Sequence, residues 1–270
     1  MNPRTYLFVP GDRPERFDKA AASGADAIVL DLEDAVASAA KPAAREAVGE
    51  WLKRLPEERR ERVVVRINDA STPWFGDDVA MLARCGAARV MLPKAESTEQ
   101  IAMLRLAVRG IGVIALIESA RGVAAVEAIA ASPGVVRLAY GTLDFALDLD
   151  IPPDPQGLWH AAGRIVIAAR AAGLPAPVAG VTPELGDEAK LLADFGWARA
   201  LGFGAKLCIH PKQVAPLHAA LRPGTDEIDW ARRVIDAADA AQGAAVQLDG
   251  RMIDKPVLQR ARGVLARASD

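Results

Sequence analysis

The chain has 270 residues, 51% of them apolar and 25% charged, with 33 Lys and Arg against 35 Asp and Glu for a formal net charge of −2. This composition excludes a disordered or fibrous chain, and charges of both signs interleaved along the sequence exclude the clustered positive surface that nucleic-acid binding requires. No apolar run approaches 18 residues, and Met1-Asn2-Pro3-Arg4 leads straight into a strand-like segment, so no membrane span is expected and a cytoplasmic location is.

From Thr5 onward, short β-branched runs alternate with longer Ala- and Leu-rich amphipathic stretches. Strands are predicted at Thr5–Pro10, Ala27–Leu32, Arg62–Ile67, Arg89–Pro93, Ile111–Ile117, Val135–Tyr140, Pro177–Val181 and Lys206–His210. The helices between and after them are predicted to start near Pro14, Pro42, Gly76, Thr98, Arg121, Gly157, Asp187 and Pro211. Proline suits a first helical turn, and Gly24, Gly86, Gly110, Gly173 and Gly202 fall where helices should end. Eight such units predict the α/β class, as one (β/α)8 TIM barrel rather than an open doubly wound sheet.

After the eighth unit come a helix over Glu227–Ala240, a hairpin at Leu248-Asp249-Gly250-Arg251 and a final helix from Pro256. The expected division is a catalytic barrel over 1–222 and a helix–hairpin–helix extension over 223–270. An extension unable to bury its own apolar face is expected to pack on the barrel or on a neighbouring subunit. Two cysteines among small and apolar neighbours, Cys85 and Cys208, predict inert buried thiols rather than a disulfide framework or a zinc site.

In such a barrel the chemistry gathers where strands end. The second strand ends in Asp31-Leu32-Glu33-Asp34, the third in Arg66-Ile67-Asn68, the fourth in Pro93-Lys94, the fifth in Glu118-Ser119 and the sixth in Gly141-Thr142-Leu143-Asp144. Consecutive strands lie about 5 Å apart, so Glu118 and Asp144 can converge on one cation. Hard oxygen ligands without His or Cys nearby point to Mg²⁺, which keeps several waters and takes further ligands from substrate. The alternatives are an ion pair of Glu118 with Arg66 or Arg121 and a capping role for Asp144.

Arg66 ends a strand of valines and is expected to offer a planar fork to a substrate carboxylate, the alternative being a structural partner for Asp31 or Glu33. Asp31 and Glu33 should share a strand face, with Asp34 opposite or in the loop, and at least one should hold a metal-bound water or a basic residue. Lys94 is expected to stay cationic and pair with a carboxylate; the alternative is a Schiff-base lysine in an apolar pocket. His210 is expected to be a hydrogen-bonded packing residue.

The run Leu7-Phe8-Val9-Pro10-Gly11-Asp12-Arg13-Pro14-Glu15-Arg16, then Asp31-Leu32-Glu33-Asp34-Ala35-Val36, Val65-Arg66-Ile67-Asn68, Leu92-Pro93-Lys94-Ala95-Glu96-Ser97, Ile117-Glu118-Ser119-Ala120-Arg121-Gly122, Lys206-Leu207-Cys208-Ile209-His210-Pro211 and Leu248-Asp249-Gly250-Arg251-Met252-Ile253-Asp254 resemble, in order, the citrate lyase β-subunit-like branch of the Mg²⁺-dependent HpcH/HpaI-type aldolases. The resemblance implies Glu118 and Asp144 as Mg²⁺ ligands, with Arg66 on the substrate carboxylate; Glu118 is also expected at the substrate, and Asp31, Glu33, Asp34 and Lys94 in support. It also implies Arg13 as a further anchor for the acid or for coenzyme A. The extension is similar to a lid that closes over a neighbouring subunit's site and carries Asp254 as proton-transferring residue, in a homotrimer or a dimer of trimers.

The implied reaction is cleavage of a 3-hydroxy-acid coenzyme A thioester, malyl-, citramalyl- or citryl-CoA-like, into a 2-oxo acid and an acyl-CoA. Hydrolysis of a (3S)-malyl-CoA-type thioester and a malate synthase-like condensation are the alternatives on the same site. One segment departs from the family pattern: Gly180–Asp187 stands where relatives carry an aromatic and acidic stretch.

Overall fold

The computed structural model describes residues 2–240 and 246–268. Eight parallel strands, β1 Thr5–Pro10, β2 Ala27–Asp31, β3 Val63–Arg66, β4 Arg89–Leu92, β5 Gly112–Ile117, β6 Val135–Tyr140, β7 Val178–Ala179 and β8 Ala205–Cys208, close in sequential order into the expected barrel. The surrounding α-helices are α1 Phe17–Ala21, α2 Lys41–Arg54, α3 Glu57–Arg60, α4 Phe75–Cys85, α5 Thr98–Ala107, α6 Ala120–Ala124, α7 Val126–Ala131, α8 Thr142–Asp148, α9 Pro155–Ala171, α10 Glu188–Leu201 and α11 Val214–Leu221. Beyond them lie α12 Thr225–Ala240, a hairpin of β9 Val246–Leu248 and β10 Arg251–Ile253, and α13 Lys255–Ala268.

The strands read as near-continuous apolar runs because both faces are covered, one by the barrel interior and one by helices. The interior is a packed cluster in which Val29, Val64, Met91, Ile114, Leu116 and Leu207 are 3% exposed or less, so it is filled by side chains and leaves no channel. Each large aliphatic chain buried there contributes roughly 1.5–3 kcal/mol. Register then decides which strand ends meet: Asp31 pairs with Arg66, and Ile117 with Tyr140, so Glu118 and Gly141 follow side by side.

Two differences from the predicted elements bear on the site. Strand β7 has only two residues where five were expected, and α8 begins just after β6, so Asp144 sits in the first turn of a helix rather than at the strand end. The five glycines expected at helix ends all have positive φ.

Residues up to Leu217 and from His218 onward form two compact units. The second was expected to lack an apolar interior of its own, and that expectation is corrected. Ala231 and Val234 of α12, Ile253 of β10, and Ala261 and Val264 of α13 bury one another in a separate small core. Asp249 and Gly250, with φ of 50° and 75°, form the two-residue hairpin turn that the Asp-Gly step demands.

Candidate active site

The C-terminal ends of the strands surround a cavity of about 400 Å³. Asp31, Asp34, Arg66, Glu118 and Asp144 form its polar side, and Phe8, Leu116, Val181, Leu207 and Ile209 its apolar side. Another cavity, at the opposite end of the barrel, is lined by Arg62, Arg89 and Arg137. Arg62 and Arg137 give their hydrogen bonds there largely to backbone carbonyls, and Arg89 pairs with Glu61, so those cations brace the barrel floor.

Glu118 is 3% exposed, and its Oε1 accepts a 2.8 Å hydrogen bond from the backbone N–H of Lys94. Burial pushes its carboxyl up to about 8; the Lys94 N–H opposes the shift and the negative charge of Asp144 adds to it. Glu118 therefore feels Asp144 electrostatically. Among the described residues Glu118 makes no ion pair with Arg66 or Arg121, and Asp144, half-buried, caps nothing with its side chain. Neither structural alternative accounts for the two carboxylates.

This donor set fits a hard divalent cation. A carboxylate as buried as Glu118 keeps its charge at neutral pH only beside compensating positive charge, and a neighbouring carboxylate makes the need greater. Among the described residues no three His, Cys, Asp or Glu side chains converge to enclose a metal. Two protein oxygens with the remaining positions left to water and substrate is the arrangement Mg²⁺ accepts and a structural zinc site does not.

Arg66 is held on several sides. Its Nε and Nη2 donate to Asp31 Oδ1 and Oδ2 at 2.7 and 2.6 Å, its Nη1 lies 3.0 Å from Glu33 Oε2 and 3.5 Å from Asp34 Oδ2, and its guanidinium lies over the Phe8 ring. Burial alone would disfavour its charge, but Asp31 foremost, then Glu33 and Asp34, raise its pKa well above the usual value. The contact to Glu33 is out of line for a hydrogen bond, leaving Oε2 buried without a donor, and burial pushes the Glu33 carboxyl up to about 9 against the pull of Arg66.

Asp31 also accepts from the Glu33 and Ala35 N–H groups, so both its oxygens are occupied in aiming Arg66 and shaping the turn. Its partner is thus the basic residue, one of the two expected. The strand alternation expected for Asp31, Glu33 and Asp34 ends at Asp31, where β2 ends; beyond it the chain turns and brings Glu33 and Asp34 to the same guanidinium.

Lys94 differs from expectation. Its side chain is exposed and pairs with no carboxylate among the described residues. What it contributes is main chain: a φ of 43° turns its N–H onto Glu118, a left-handed conformation that costs roughly 1–2 kcal/mol. Arg13 is also exposed, 3.8 Å from Asp12, and is not among the residues lining the mouth. Asp254 accepts from the Val257 N–H at 3.1 Å and so caps α13. His210 caps the turn after β8 through Nδ1, a hydrogen-bonded role as expected.

Several supports were not anticipated. Lys41 donates to the carbonyls of Leu32 and Glu33, and Asp78, wholly buried, gathers Arg45 and both donors of Asn68, so the loops after β2 and β3 are braced from behind. Ser119 donates to Glu96 at 2.6 Å and caps α6. The Ser-x-x-Gly helix start was the one visible signal.

Gly141 admits no side chain, because a Cβ there would collide with the Glu118 carboxylate. Gly141→Ala is expected to displace that carboxylate and, as overpacking does, to destabilise the chain by about 1–3 kcal/mol. Thermal unfolding with and without Mg²⁺ checks it: the variant should lose most of any stabilisation the ion gives the wild type.

A family model described as HpcH/HpaI aldolase/citrate lyase matches residues 4–211. A citrate lyase subunit beta-like protein of Mycobacterium tuberculosis is 41% identical over 272 residues, covering 98% of this chain and 95% of the relative. A (3S)-malyl-CoA thioesterase of Cereibacter sphaeroides is 35% identical over 271 residues, covering 98% and 94%. The crystal structure of protein CitE from Mycobacterium tuberculosis in complex with magnesium, acetoacetate and coenzyme A superposes with a TM-score of 0.89 at 38% identity, over 99% of this chain and 98% of that one.

Proposed function

Because the chain belongs to the HpcH/HpaI aldolase/citrate lyase family, we propose that it is a Mg²⁺-dependent carbon–carbon lyase that splits a 3-hydroxy-acid coenzyme A thioester into a 2-oxo acid and an acyl-CoA. The observation that carries this reading is the buried Glu118 carboxylate beside Asp144 at the barrel mouth, with Arg66 on the same cavity. Mg²⁺ held by Glu118 and Asp144 supplies Lewis-acid stabilisation where negative charge develops on the substrate oxygen.

Cleavage removes the hydroxyl proton, breaks the bond between the carbinol carbon and the thioester α-carbon, and leaves an enolate that takes a proton at that carbon. Arg66 orients the acid. Its Nε and Nη2 edge belongs to Asp31, so Nη1, held only by the long Asp34 contact and the out-of-line Glu33, is the edge that meets the substrate carboxylate. The apolar wall of Phe8, Leu116 and Leu207 keeps water from the enolate.

Residues 223–270 form, in this reading, a lid over the site of a neighbouring subunit in a homotrimer, with Asp254 delivering the enolate proton. Asp254→Asn keeps an N-cap and should leave the melting temperature unchanged while turnover falls about 100-fold or more. Asp254→Ala should lose turnover equally and about 1 kcal/mol of stability besides. Mixing Asp254→Asn with Glu118→Gln chains should restore part of the activity, and no recovery in an exchanged oligomer would remove the lid from a neighbour's site.

Incubation of the wild type with malyl-, citramalyl- and citryl-CoA and Mg²⁺ tests the reaction itself. The expected result is oxo acid and acyl-CoA in equal amounts, abolished by EDTA. Hydrolysis is the second reading, favoured by the 35% identity to a malyl-CoA thioesterase; free coenzyme A without oxo acid would establish it in place of cleavage.

A further inference from the structure

The chemistry proposed above uses nothing on the outer wall of β8, yet that wall carries a buried lysine. Ala205 and Leu207 face the barrel interior, so the pleat turns Lys206 outward into a cavity shared with Asp194 and Trp197 of α10. Lys206 is 2% exposed, and its Nζ makes one hydrogen bond among the described residues, 2.7 Å to the carbonyl of Gly180. Asp194 is 2.8 Å from Lys190 and accepts from Thr182, and it forms no ion pair with Lys206. Burial pushes the Lys206 ammonium down to about 8, with Asp194 opposing. An apolar residue would fill this wall without that desolvation penalty.

The Gly180 carbonyl matters because the sheet gives out beside it. Strand β7 pairs with β6 at the single position Ala139↔Val178 and with β8 only as far as Ala179↔Lys206. Past Ala179 side chains replace the ladder: Lys206 on the Gly180 carbonyl, Gln213 Nε2 on the Thr182 carbonyl at 2.9 Å, and Asp194 on the Thr182 hydroxyl at 2.8 Å. The segment held in this way leans on α8. A Cβ at Gly180 would lie 2.9 Å from the Tyr140 carbonyl oxygen and 2.5 Å from Thr142 Oγ1, and Thr142 opens the helical turn that carries Asp144. The next residue, Val181, lines the mouth.

We propose that Lys206 is a positioning residue: through the Gly180 carbonyl it fixes Gly180–Thr182 against Thr142 and so sets where Asp144 stands for its cation. This rests on the reading of Glu118 and Asp144 as Mg²⁺ ligands. The same device braces the loop after β2, where Lys41 holds two carbonyls behind the Arg66 cluster.

Lys206→Met and Lys206→Arg, each in the full chain, test it by hydrogen exchange and by calorimetric titration with Mg²⁺ alone. Folded Lys206→Met should exchange the amides of 142–145 and of Val181, Thr182, Glu184 and Leu185 about tenfold faster with β1 to β4 unchanged. Its Mg²⁺ dissociation constant should rise about tenfold, the range seen when a ligand loses its outer support. Lys206→Arg, which keeps donors for the carbonyl, should bring both values most of the way back. Wild-type exchange or wild-type Mg²⁺ affinity in folded Lys206→Met overturns the proposal, and if that variant does not fold, the same two measurements on Lys206→Leu, which also lacks a donor for the carbonyl, decide it. A wild-type chain that binds no Mg²⁺ overturns the metal reading and this role with it, an outcome distinct from a wild type that binds and a variant that binds equally well.

Discussion

Glu118→Gln is expected to remove Mg²⁺-dependent turnover while leaving the barrel as stable as before, or more so, in the absence of the ion. Two consequences of burial lead there. The wild-type carboxylate is 3% exposed and pushed up to about 8 by desolvation, so a neutral amide of the same shape relieves that penalty and can still accept the Lys94 N–H. The amide also supplies a neutral ligand in place of an anionic one. Altering only the outer partner of a ligand costs about 10–100-fold in metal affinity, so replacing the ligand should cost more than about 100-fold. Asp144→Asn should act in the same direction, and more weakly on apo stability because Asp144 is half-buried.

Thermal unfolding separates this from a folding defect. Mg²⁺ should raise the wild-type melting temperature by linkage and leave that of Glu118→Gln where it is. A Glu118→Gln chain with full turnover in EDTA would sink the metal site. One with equal Mg²⁺ stabilisation would place the ion elsewhere.

How far this site was legible from sequence follows from what fixes each part. A parallel barrel projects whatever follows each strand into one mouth, so Arg66, Glu118 and Asp144 could be gathered from strand ends alone, and register then makes Glu118 and Gly141 neighbours. Beyond a strand end the two-residue alternation no longer holds. Hence Glu33, expected on the strand face of Asp31, and Asp34, expected opposite or in the loop, both lie in the loop and reach Arg66.

Main-chain roles were invisible for another reason. Lys94 serves Glu118 through its N–H at a φ that only the fold imposes, and nothing in Leu-Pro-Lys-Ala announces that its ammonium pairs with no carboxylate among the described residues. Buried lysines on carbonyls, Lys41 and Lys206, were missed because their partners are backbone atoms, which leave no pattern of complementary residues. The short β7 has the same origin: Pro177–Val181 has strand composition, but a side chain takes the Gly180 carbonyl where a strand N–H would have been.

Arg66→Met should unfold the mouth before it reveals anything about catalysis. Asp31 is 1% exposed and both its oxygens receive the guanidinium, so the substitution leaves a buried carboxylate with only the Glu33 and Ala35 N–H groups. Breaking a buried pair from one side costs about 3–5 kcal/mol, which for a domain of this size lowers the melting temperature by on the order of 10 °C. Arg66→Lys should recover little of it, because an ammonium cannot meet both oxygens of Asp31 and still face Glu33 and Asp34. Adding Asp31→Asn to Arg66→Met removes the uncompensated charge and should return most of the lost stability, since the pair then goes together rather than from one side. Turnover should not return with it. If Arg66 Nη1 holds the substrate carboxylate, the folded double variant remains impaired in the KM for the oxo acid in the condensation direction. A double variant with wild-type KM would leave Arg66 as a brace for Asp31 alone and would move substrate recognition to another cation.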